Sequence, residues 1–216
     1  MKKQLLYSST VLGMLFQACT SSPGNEKEVK IGNQTWTTTN LNTDHFRNGD
    51  PIPEVKSIEE WSKAGDEGKP AFCYYNSDPA KGEKLGKLYN WYAVNDPRGL
   101  APTGWKIPSD GDWKEMENFL GGEEVSGHVL KSKSMWANQE YGKSGGGSNE
   151  SGFNALPGGF RYFFGEYNAG SYGYWWTSTG TSANNAWGRY MNSYSSICGR
   201  SSGLKSYGFS VRCIRE

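Results

Sequence analysis

The sequence predicts a single α+β domain, with two short helices followed by antiparallel strands and long loops. Three observations point there. Capped helical patterns fall early, and aromatic or β-branched alternation dominates from residue 156 onward. Across the chain, 29 glycines and 9 prolines indicate a loop-rich architecture and not a helical bundle. A hydrophobic content of only 35% is offset by 9 Trp, 13 Tyr and 9 Phe, whose large rings can build one core in a chain of 216 residues.

Residues 1–18 read as an export signal. Lys2 and Lys3 precede an apolar stretch from Leu5 to Phe16, too short to span a bilayer. Ala18-Cys19, followed by a polar tether over 19–28, resembles a bacterial lipoprotein processing site, with lipid on Cys19. An ordinary secretory signal with an incidental cysteine is the alternative. The expected location is the cell envelope, at the outer membrane or cell surface, with membrane contact through the lipid alone. Without residues 1–18 the chain carries 21 basic and 22 acidic side chains, a balance that gives no footprint for nucleic acid.

In chain order, Val29–Ile31 and Gln34–Thr37 alternate around Gly32-Asn33 as a hairpin. Ser57 with Glu60 three residues on caps a short helix through Trp61. Phe72–Tyr75 reads as a strand. Leu88, Trp91 and Tyr92 lie at helical spacing within Leu85–Val94, and Gly104–Pro108 is a short strand. Ser109 and Asp112 form a capping box before a helix whose buried stripe is Trp113, Met116, Phe119 and Leu120, ended by Gly121-Gly122. Ser144–Ser148 reads as a mobile loop within the domain. Strands are expected at Leu156–Phe164, Tyr174–Thr179, Ala186–Met191, Ser195–Cys198 and Phe209–Ile214. Neighbouring Trp175 and Trp176 point to opposite faces of their strand, so one core can fully bury at most one of them.

The chemistry concentrates near the C-terminus. From Tyr167 to Arg215 there is no Asp or Glu, and Lys205 is the only lysine. Such a tract supplies neither a carboxylate base nor a hard-metal cage, but it does supply hydroxyls, amides and aromatic faces for binding. His45 and His128 are isolated, no Cys/His spacing suggests zinc, and no cofactor motif occurs. Within Thr177–Gly208 only Trp187, Met191 and Lys205 lack a codon ending in cytosine, a set that randomised Asn-type codons would produce. On that basis the candidate ligand contacts are Ser182, Asn184, Asn185, Arg189, Tyr190, Asn192, Tyr194, Ile197, Arg200, Ser202, Leu204 and Tyr207. The simpler alternative is a Ser/Asn/Gly-rich surface with no selected ligand.

Ordered motifs then carry a family resemblance. Ile31–Trp36, Cys73–Asn76, Gly86–Trp91, Gly104–Ser109, Ala155–Gly159, Tyr174–Thr179 and Gly208–Cys213 resemble the Fibrobacter succinogenes major paralogous domain, over residues 29–216. The resemblance implies an exported domain of C-type lectin-like fold, related to the sulfatase-modifying-factor group. It also resembles lectin-like proteins diversified by retroelements at this end of the chain. Calcium-dependent sugar binding would need an Glu-Pro-Asn or Gln-Pro-Asp loop and a Trp-Asn-Asp strand, and neither occurs. Formylglycine generation would need closely spaced reactive cysteines, whereas Cys198 and Cys213 stand fifteen apart. Family motifs hold Cys73 and Cys213, so the resemblance implies a Cys73–Cys213 disulfide, worth about 4–5 kcal/mol in the chain-entropy picture. Cys198–Cys213 is the other pairing. The expectation is a non-enzymatic surface lipoprotein that binds a protein or glycan, with room for a pilus-like assembly. A structural envelope protein without a dedicated ligand is the competing class.

Overall fold

The computed structural model describes residues 27–137 and 145–216. The export signal, Cys19, most of the tether and Ser144 lie outside the described residues.

Strands β1 (Glu28–Ile31) and β2 (Gln34–Thr37) form the expected hairpin, with Gly32 at φ +60° in its turn. Helix α1 (Ile58–Asp66) starts where Ser57 Oγ accepts from the Glu60 N–H at 3.1 Å. Next come β3 (Phe72–Cys73), α2 (Pro79–Leu85), β4 (Leu88–Tyr89) and α3 (Trp91–Val94). The expected Leu85–Val94 helix is therefore broken. Gly86 sits at φ +75°, and a Cβ there would lie 2.6 Å from Asn40 Cβ and 2.9 Å from the Leu41 carbonyl. Lys87 and Tyr89 then extend to pair with other segments: the Tyr89 N–H donates to the Phe209 carbonyl at 2.9 Å.

After β5 (Trp105–Lys106), helix α4 (Asp110–Phe119) carries the complete Ser109/Asp112 capping box. Trp113 and Met116 are buried as expected, but Phe119 is 65% exposed and Leu120 only half-buried. Helix α5 (Glu123–Leu130) follows directly. The chain continues through β6 (Phe160–Tyr162), β7 (Gly165–Tyr167), β8 (Tyr172–Gly180), β9 (Asn185–Asn192), β10 (Gly199–Leu204) and β11 (Ile214–Arg215).

The architecture is mixed α+β with several small antiparallel sheets. One has the order β1-β2-β11-β5, bringing the two ends of the described domain together, and another has the order β10-β9-β8. The three-stranded sheet carries a core on each side, so its neighbouring tryptophans fall in different clusters, as their opposite directions require. Trp175 and Trp176 are each 0% exposed, because each faces its own core. Trp175 packs with Trp36, Trp113, Phe153 and Met191, and Trp176 with Tyr89, Ala186, Phe209 and Val211. Their indole N–H groups donate to Asn40 Oδ1 at 2.9 Å and the Tyr89 carbonyl at 2.8 Å. Asn40 Oδ1 also accepts from the fully buried Arg212 at 2.7 Å, whose guanidinium further donates to the carbonyls of Thr37, Phe153 and Asn154.

No disulfide joins Cys73, Cys198 and Cys213. Each thiol lies in a different apolar cluster, so neither pairing expected from the sequence forms. Burial pushes the Cys73 thiol up to about 12 and the Cys198 thiol well above its ordinary value. Thiol reagents should accordingly leave these cysteines unmodified in the native protein and label them once denaturant is added. Rapid native labelling would contradict the placement.

The glycine run after Ser144 is also not a free loop. A Cβ on Gly147 would lie 2.2 Å from the His128 carbonyl, and one on Gly146 would lie 2.7 Å from that of Lys133. These residues are glycines because backbone passes against backbone. Lys131 fastens the same region to the sheet: its Nζ donates to the carbonyls of Gly145 (3.2 Å), Asn192 (2.9 Å) and Ser195 (2.9 Å). Burial lowers its pKa to about 8. The unfolded chain therefore holds a proton that the folded one has shed, so this group adds stability as pH rises from about 8 towards its ordinary value near 10.5. Urea titrations at pH 7.5 and 9.5 should show Lys131→Met losing that rise.

Candidate functional site

The carboxylate-free tract builds β9, β10 and the turns on either side. Register places Trp175, Arg189 and Arg200 directly across from one another, on one face of the sheet. The same registers put Tyr174, Tyr190 and Gly199 on the opposite face. The candidate contacts therefore divide between two faces and two turns, and do not form a single patch.

On the first face Arg189 is 1% exposed and is not a surface contact. Its Nε donates to Glu117 Oε1 at 2.6 Å and its Nη1 to Asp110 Oδ1 at 2.6 Å. Beside it Arg200 reaches the same Asp110 through Nε (3.0 Å) and Nη2 (2.8 Å), and its guanidinium lies 3.4 Å from the Trp187 ring centroid. Burial pushes the Asp110 carboxyl up, but the bonds to Arg189 and Arg200 outweigh it and hold the group below its usual value. For Glu117 burial wins and its pKa is raised. The buried Cys198 thiol lies 3.4 Å from the same Glu117 oxygen. The tract lacks carboxylates because helix α4 supplies them, an arrangement with no local signal in the sequence.

Ser202 and Leu204 continue this face outward and are exposed; Ser202 Oγ lies 3.2 Å from Thr181 Oγ1. The turn over 181–184 is exposed throughout. Ser182 Oγ accepts the N–H groups of Asn184 (3.3 Å) and Asn185 (3.1 Å), which fixes its shape. Lys205 locks the turn from below, donating to the Ala183 carbonyl at 2.8 Å while lying over Trp91.

On the second face Tyr190 stacks on Tyr174 at 5.8 Å. Gly199 makes room for it, since a Cβ there would fall 2.3 Å from the Tyr190 ring. Tyr194 is 58% exposed and meets Tyr172 edge-on, their hydroxyls bonded to each other. Tyr207 is half-buried against Tyr162 at 4.5 Å. Phe163 and Phe164, at the β6–β7 turn, extend this aromatic row into solvent at 42% and 68% exposure, and sequence reading did not single them out. Asn192 is buried, its Oδ1 accepting from the Tyr194 N–H at 3.1 Å, so it shapes the loop and does not contact solvent. Ile197 is half-buried. Among the described residues no cluster of His, Cys, Asp or Glu is arranged to hold a metal ion.

These features define an α+β domain that presents a hydroxyl, amide and aromatic surface on a doubly buried sheet. The Fibrobacter succinogenes major domain family matches residues 29–215, nearly the whole chain, and the chain belongs to that family. No curated protein matches it.

Proposed function

We propose that this is a non-enzymatic, lipid-anchored envelope protein whose β9–β10 region binds a protein or glycan outside the cell. The observation that carries the reading is the contrast across one sheet. Trp175 and Trp176 are completely buried on its two sides, while Ser182, Asn184, Tyr194, Arg200, Ser202 and Leu204 are exposed at its far strands and turns. Hydroxyl, amide and tyrosine groups on a rigid frame lose little entropy on binding and adapt their hydrogen bonds. The fold is C-type lectin-like on this reading, a view supported by the meeting of β1, β2 and β11 in one sheet. Thiol chemistry is disfavoured at Cys198, which is buried and held protonated. Retroelement diversification would act on the exposed turn and strand positions and leave Trp187 and Met191 as frame.

Arrays of glycans and envelope or host surface proteins, probed with the purified domain, test the reading. Saturable, concentration-dependent retention of at least one ligand is expected. Retention of none would favour a structural envelope role.

A further inference from the structure

The two edges of the β8–β9–β10 sheet are treated differently. Backbone bonding alternates along each strand, so every second residue turns its N–H and C=O away from its neighbour. On the β8 edge the outward groups are closed: the Trp176 N–H donates to the Ser210 carbonyl at 3.0 Å, and the Ser210 N–H to the Tyr174 carbonyl at 3.0 Å. On the β10 edge, the Lys205 N–H donates to Asn184 across the ladder, which places Gly199, Ser201 and Gly203 inward. Cys198, Arg200, Ser202 and Leu204 then face outward. The Cys198 N–H is taken by the Glu123 carbonyl of α5 at 3.0 Å, and the Leu204 carbonyl by the Tyr207 N–H at 2.8 Å. Arg200, Ser202 and Leu204 are all exposed.

Monomeric proteins protect such an edge with proline, lysine, a bulge or a covering segment. β10 runs Gly-Arg-Ser-Ser-Gly-Leu, with no proline, lysine or bulge. Its one charge, Arg200, is held by Asp110 and laid over Trp187. The geometry points to a second copy of this chain as the missing neighbour, pairing β10 with β10 antiparallel about a two-fold axis at Ser202. In that register Ser202 faces Ser202 of the copy and exchanges both backbone bonds with it. Arg200 faces Leu204 of the copy, so no like charges meet across the strands. The Tyr207 N–H closes a turn on the Leu204 carbonyl and ends the open edge there. Pairing continues the sheet from one copy into the next and sets their two β9–β10 regions side by side.

Sedimentation velocity of the purified protein should show the mass doubling as concentration rises. Ser202→Pro removes an outward N–H and leaves the ladder to β9 intact, so it should return the protein to monomer. Ser202→Cys should give a covalent dimer on mild oxidation, with peptide mapping placing the bond at residue 202; this arm stands even if the proline variant fails to fold. A wild type that stays monomeric with no crosslink at 202 would overturn the proposal. So would a dimer that survives Ser202→Pro, or a monomer that instead adds a short extended peptide to β10.

Discussion

Replacing Arg189 by alanine is expected to destabilise the domain by about 3–5 kcal/mol, the usual cost of stranding buried partner charges. The arginine side chain is 1% exposed, and its partners Glu117 and Asp110 only 7% and 16%. Asp110 keeps Arg200, but Glu117 would be left buried beside the Cys198 thiol with no cation. At roughly 2–4 °C per kcal/mol for a domain of this size, the melting temperature should fall by well over 5 °C. Adding Glu117→Gln to Arg189→Met should recover part of that loss by removing the stranded charge, a non-additivity that calorimetry on the double variant reads directly. Were Arg189 a ligand contact, the single variant would instead keep its stability and lose only binding.

The second large effect is expected at the paired tryptophans. Trp175→Ala and Trp176→Ala should each cost about 3–5 kcal/mol, as large aromatic truncations in filled cores do. Trp176 stacks on Phe209 at 4.1 Å, and Trp113 lies 6.4 Å from Trp175. Because the two rings sit in separate cores, their losses should nearly add. The sum would consume most of the 5–15 kcal/mol that ordinarily holds a domain together. Denaturant unfolding of the single and double variants checks this. A mild effect at either position would mean that the sheet is buried on one side only.

What could be read from the sequence follows from how local each signal is. The α4 cap rests on Ser109 and Asp112 three residues apart, and the β1–β2 hairpin on Gly32; both formed as expected. Leu85–Val94 reads as one helix because Leu88, Trp91 and Tyr92 keep helical spacing. The close approach of Asn40 and Leu41, which demands glycine at 86, comes from far away in the chain. Helix α5 carries no start signal of its own, because Gly121-Gly122 before it reads as a terminus. Its Gly127 is set by the Ile197 carbonyl, which passes 2.4 Å from where a Cβ would stand. Strand β10 lies at Gly199–Leu204 and not at Ser195–Cys198, since a Ser/Gly strand carries no hydrophobic alternation to fix its position. The exposed turn and the outer residues of β10 were legible as candidate contacts from residue type. Arg189 and Asn192 were not separable from them, because the carboxylates and backbone groups that hold them inside lie on other elements or depend on the loop's fold.

The most direct test replaces exposed candidates from both faces and both turns. A variant carrying Asn184→Ala, Tyr194→Ala and Leu204→Ala alters only exposed side chains, so its melting temperature should stay close to that of the wild type. Probed side by side with the wild type against the ligand retained on the arrays, it should lose most of the binding. Equal binding by the two proteins would place the contact elsewhere and contradict the account.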